Sequence, residues 1–176
     1  SNSTFAFLPH AIEFKPDGTR LFAIKNTGTL VYQYDLSTAW DVSTISFDTK
    51  FDVSDESQLR SIDFKPDGSR MYVTGQQNKK IKEYSLSTTW DVTTSNVTHV
   101  RDSAALTSTD NNPRNIQFSE NGTELYYAGN GSNDMHKFTL STAWDVSTLS
   151  SSATTFDLGD RVANMRGFIF TSSFSR

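Results

Sequence analysis

The chain has 176 residues, enough for one domain with a sizeable core, and 16 Lys+Arg against 20 Asp+Glu leave a net charge of −4. Its charges are scattered, which excludes nucleic acid as a natural partner, because neutralising phosphates takes grouped Lys and Arg. Cysteine is absent, so disulfides and thiolate metal sites are excluded, and no apolar run approaches the roughly 20 residues of a membrane-embedded helix.

Ser1-Asn2-Ser3 has neither the charged start nor the apolar middle of a signal peptide. Residues 4–8 align with 154–158 and are expected to form a leading outer strand. A first strand is predicted at 11–14, closed by Pro16-Asp17-Gly18, where Pro fixes φ and Gly accepts a positive one. A second follows at 21–24, then a polar turn and a third at 30–36. The segment Ser37-Thr38-Ala39-Trp40-Asp41-Val42 reads as a compact connector to a fourth strand at 46–51. In it Asp41 and Ser37, with their counterparts Asp91, Asp145, Ser87 and Ser141, are expected to cap the turn.

This order then repeats. Ile12-Glu13-Phe14-Lys15-Pro16-Asp17-Gly18 returns as Ile62-Asp63-Phe64-Lys65-Pro66-Asp67-Gly68, and more weakly as Ile116-Gln117-Phe118-Ser119-Glu120-Asn121-Gly122. Trp40, Trp90 and Trp144 are 50 and 54 residues apart. Later strands are predicted at 71–74, 81–86, 97–101, 125–128, 136–140 and 153–158, and a fourth copy opens at Gly167-Phe168-Ile169-Phe170. Four short strands in about 50 residues, in tandem, predict an all-β chain of three four-stranded antiparallel β-propeller blades. The repeats run 11–60, 61–114 and 115–166, with a partial fourth at 167–176. Three blades close a ring poorly, so the expected assembly is a partial ring or one completed by oligomerisation. The rival fold, a right-handed parallel β-helix, needs shorter coils and no Pro-Asp-Gly hairpins.

The pattern Ile-x-Phe-x-Pro-Asp-Gly, followed by Leu-Ser-Thr-x-Trp-Asp-Val-Ser-Thr at 36–44 and its later copies, resembles a propeller-repeat family related to lactonase-like, NHL and TolB-type propellers. Similar runs occur in marine bacterial and phage structural proteins. The Trp-Asp pair is not that of WD repeats, since it lies in the connector and not at the end of the third strand. The resemblance implies that a divalent metal, if held at all, would sit near the channel, where Glu13, Asp63 and Gln117 occupy equivalent positions. Against that, the three form a repeated polar position, and the fourth copy has Ile169 there.

The position before each first strand is His10, Arg60, Arg114 and Arg166, one basic residue per repeat. Ringing a channel mouth, these four would favour an anionic ligand, since Arg forks suit carboxylates and phosphates. The alternative is pairing with nearby acids such as Asp52, Asp55, Glu56, Asp110 and Asp160. The three tryptophans are expected to wedge between blades, with ligand stacking as the alternative. No catalytic triad, metal-binding motif or phosphate loop is present, and no cofactor or metal site is expected. These residues point to a non-catalytic binding or scaffold module, extracellular or virion-associated, with the loop 102–113 as its specificity element. Its partners would be other copies of the chain or the remaining blades of a larger protein, with a carbohydrate or anion as ligand. The alternative function is a lactonase-like metal-dependent hydrolase.

Overall fold

The computed structural model describes residues 7–25, 27–106, 112–129, 131, 134–158 and 167–169. Short-range chemistry fixes each hairpin before any packing is considered. In the first, Gly18 N–H donates to Lys15 O (2.8 Å) and Lys15 N–H to Arg20 O (3.0 Å). Asp17 Oδ1 accepts from the Thr19 amide and hydroxyl at 3.0 and 2.6 Å. Asp67 and Asn121 do the same for Ser69 and Thr123, so the third turn survives the loss of its proline.

Three antiparallel sheets result, each with its strands in chain order. The first holds β1 (Pro9–Phe14), β2 (Arg20–Lys25), β3 (Leu30–Leu36) and β4 (Ile45–Asp52). The second holds β5 (Leu59–Phe64), β6 (Arg70–Gly75), β7 (Ile81–Leu86) and β8 (Val97–Asp102). The third holds β9 (Pro113–Phe118), β10 (Glu124–Gly129), β11 (Asp134–Thr139) and β12 (Thr154–Asp157). These are propeller blades, and the wholly antiparallel pairing eliminates the β-helix. The innermost strands β1, β5 and β9 lie side by side, with β5 in the middle.

The connectors carry the most strained backbone. Trp40, Trp90 and Trp144 have φ of 65°, 59° and 66°, a region that bulky residues avoid. Each Trp N–H is held by the hairpin glycine of its own blade, at 2.9, 3.0 and 2.9 Å to Gly18, Gly68 and Gly122 O. The indole then lies flat on that glycine, where an added Cβ would come within 2.1–2.5 Å of the ring. Asp41 and Asp145 cap the following 3-10 turns through Ser43 and Ser147 N–H, both at 3.0 Å. Ser37 and Ser141 do not cap, contrary to expectation. Thr44 and Thr148 take that place, each hydroxyl donating at 2.8 Å to the carbonyl of the capping Asp.

Packing between blades forms the main cores. Trp90 rests on Phe64 of its own blade and on Phe22 of the blade before it, with ring centroids 5.1 and 6.3 Å away. Trp144 repeats this with Phe118 and Tyr72 at 5.1 and 6.2 Å. A polar latch accompanies each wedge. Gln33 Oε1 accepts from Val92 N–H at 2.8 Å, and Glu83 Oε2 from Val146 N–H at 3.3 Å. Glu83 is also paired with Arg70 and Arg101. Among the described residues Trp40 wedges against nothing beyond its own blade, and it is 58% exposed, whereas Trp90 is 8% exposed.

Candidate functional site

The inner strands contribute two layers of polar side chains. At their start, each strand pairs out of register with its neighbour: Pro9 faces Lys25 while Ala11 faces Ile24, and the shift recurs at Leu59/Ser61 and at Pro113/Asn115. The extra residue in each bulge is His10, Arg60 or Arg114. A bulged residue leaves the ladder and is re-aimed, which is why the chain can bring three basic groups from three blades to one place. His10 Nδ1 lies 3.1 Å from Arg60 O, and Arg114 Nη1 lies 3.4 Å from His10 Nε2. The guanidinium can only donate, so Nε2 accepts, and the proton sits on Nδ1, directed at the Arg60 carbonyl. Arg166 falls outside the described residues.

Arg60 is nearly buried, and its Nη2 donates to Gln58 Oε1 at 2.6 Å and to Gln76 Oε1. Burial, then the like charge of Arg114, pulls it below its ordinary value, with Glu56 opposing. The expected pairing with loop acids is only partly realised. Glu56 acts on Arg60 through its charge, but its oxygens accept from Ser57, Gln77 and Asn78 N–H. Asp55 turns to Lys82 (3.8 Å). Asp110 and residues 107–111 of the loop expected to confer specificity lie outside the described residues, as does Asp160. Arg114 Nε is buried with no acceptor among the described residues.

Three residues further along, Glu13, Asp63 and Gln117 line a cavity of ≈ 230 Å³ with Ser61, Asn115 and residues 168–169. Asn115 Nδ2 donates to Phe168 O at 3.0 Å, so the opening of the fourth repeat lies along β9. The two carboxyls are not alike. Asp63 is a stitch, accepting from Phe64 N–H of its own strand and from Phe118 N–H of the next, both at 2.8 Å. Burial pushes it up to about 7 despite those donors. Glu13 is half-buried, and burial followed by the charge of Asp63 pushes it up to about 8. A carboxyl that exchanges its proton near neutrality, beside a cavity, is suited to acid–base chemistry. Among the described residues, no cluster of three or more His, Asp or Glu is arranged to hold a metal ion.

Three four-stranded blades with ionisable groups along their inner strands define a propeller segment. Residues 6–159 match the family described as lactonase, seven-bladed β-propeller, and the chain belongs to that family. No curated protein matches it. Similar solved structures include a protein assigned as a 6-phosphogluconolactonase from Bacteroides uniformis, with 18% identity and a TM-score of 0.65, covering 93% of this chain and 44% of that one. Its counterpart from Bacteroides fragilis has 19% identity and a TM-score of 0.60, covering 85% and 39%. The periplasmic gluconolactonase of Pseudomonas aeruginosa has 13% identity and a TM-score of 0.60, covering 86% and 40%. At these identities the likeness is one of fold. The chain spans about two fifths of the length of each.

The family corrects two expectations, that the chain is a non-catalytic binding or scaffold module and that it is not an enzyme. Both rested on the lack of a catalytic or metal-binding motif and on treating Glu13, Asp63 and Gln117 as one repeated polar position. The folded chain instead gives them different surroundings: Asp63 accepts from two backbone amides, while Glu13 lies partly buried beside the charge of Asp63.

Proposed function

We propose that the chain supplies blades to a lactonase-like hydrolase that opens the ring of an anionic sugar lactone. Its repeats are then 11–60, 61–114 and 115–166, with a fourth starting at 167. What carries the reading is the stacking of a titrating carboxyl pair and a basic trio on the same three inner strands, three residues apart. Ionised Glu13 takes a proton from the water that adds to the lactone carbonyl. The new C–O bond forms as the ring C–O bond breaks, and the ring oxygen leaves with the proton returned by Glu13, giving the hydroxy acid. Arg114, oriented through His10, and Arg60, oriented through Gln58 and Gln76, hold the anionic substituent as forks.

The test is lactone opening followed by pH-stat on gluconolactone with and without a phosphate group. Glu13→Gln should lower kcat by about 10²-fold or more on both substrates, the scale of a lost general base. Arg114→Gln should raise KM for the phosphorylated lactone and leave the neutral one unchanged. Full activity in Glu13→Gln, or equal loss on both lactones in Arg114→Gln, refutes the assignment.

A further inference from the structure

The two joints inside the chain show what the exposed face of its first blade is built to receive. At each joint, one blade offers an indole and a valine from its connector together with an isoleucine from its inner strand. The blade before it answers with an aromatic ring on its second strand and a side-chain acceptor on its third. Ile62 and Val92 are 4% and 0% exposed at the first joint, and Ile116 and Val146 are 2% and 0% at the second. The same three positions on the first blade, Ile12, Trp40 and Val42, are 50%, 58% and 56% exposed. The Val42 amide, equivalent to those of Val92 and Val146, has no such side-chain acceptor among the described residues.

We infer that this face takes a propeller blade of defined chemistry: an aromatic residue at the position of Phe22 and Tyr72, and Gln or Glu at the position of Gln33 and Glu83. The third blade of a second copy is not that partner. It has the ring, Tyr126, but Lys137 stands where the acceptor is needed. An ammonium has three donors and nothing to accept with. Lys137 is moreover committed to Glu124 (2.9 Å), which also accepts from Tyr126 Oη at 2.9 Å, so the group is satisfied within its own blade. Head-to-tail pairing of two copies would set the Val42 N–H against that cation and bury the amide without an acceptor. The proposal thus distinguishes a blade carrying the acceptor from another copy of this chain.

Sedimentation equilibrium and acrylamide quenching of the tryptophans test it on the whole chain. The wild type should form no closed dimer, and Trp40 should remain open to the quencher. Lys137→Gln, which installs the residue used at the first joint, should tighten self-association about tenfold and shield Trp40, the gain expected from one satisfied buried hydrogen bond. Adding Val42→Pro removes the amide proton while keeping an apolar side chain, at a position where a short helix tolerates proline, and should return association to the wild-type level. A wild-type dimer with Trp40 shielded overturns the inference. So does a folded Lys137→Gln variant that associates no better than the wild type, or whose gain survives Val42→Pro.

Discussion

Replacing Trp40 and Trp90 by alanine, one at a time, isolates the energy of a blade joint. Both tryptophans sit at φ near 60° with the same hairpin hydrogen bond, so the backbone strain left on alanine is common to the two and cancels. What differs is burial, 58% against 8% exposed. Half of a side chain that buries roughly 150–250 Å² is about 100 Å², or ~2.5 kcal/mol at ~25 cal/mol per Å². Trp90→Ala also opens a void against the contacting rings of Phe22 and Phe64, so its total cost should be about 3–5 kcal/mol, against about 1–2 for Trp40→Ala. Urea unfolding monitored by far-UV circular dichroism reads both. If Trp40→Ala is as costly as Trp90→Ala at low protein concentration, the joint is not where the indole does its stabilising, and the argument from burial fails.

Two further outcomes follow from the polar groups. Glu83→Ala strands Arg70 and the Val146 amide, Arg101 keeping Asp145, and should cost about 3–5 kcal/mol, while Glu83→Gln keeps the acceptor and should recover a large part of that in the same urea assay. Equal losses in the two variants would mean that the charge, not the latch, matters. With Glu13 pushed up to about 8 and Asp63 to about 7, the folded chain holds more protons than the unfolded one between about pH 5 and these values. Stability must therefore fall as pH rises through that window. Glu13→Gln should flatten the slope, and a wild-type urea midpoint that rises from pH 5 to 8 would contradict both shifts.

Much of the fold was legible because its turns are written locally. Pro-Asp-Gly and Ser-Thr-x-Trp-Asp-Val announce where strands stop, so predicted strands such as 30–36 and 81–86 match β3 and β7 end to end. The joints were less legible. Gln33, Glu83 and Lys137 share a position but no chemistry, and the two that latch do so onto a backbone amide, which has no signature in the sequence. The convergence of His10, Arg60 and Arg114 depends on a bulge in each inner strand, and nothing at Pro9, Leu59 or Pro113 signals that extra residue. Asp63 and Glu13 occupy the same repeat position, and only the neighbouring strand decides which one spends its oxygens on amides.

Stacked blades cover their faces but leave a rim of outer strands, and there the three repeats are not equally defended. The strands β4 and β8 each carry a bulge, with Asp48 and Val100 as the extra residues, and are studded with charge from Lys50 and Asp52 or Arg101 and Asp102. Both features spoil edge-to-edge recruitment of another strand. By contrast β12 pairs without a bulge and has Asp157 as its one charge. Concentrated solutions of this chain should accordingly begin to aggregate along Thr154–Asp157, and a lysine placed at Thr155 would blunt that edge at its most vulnerable point.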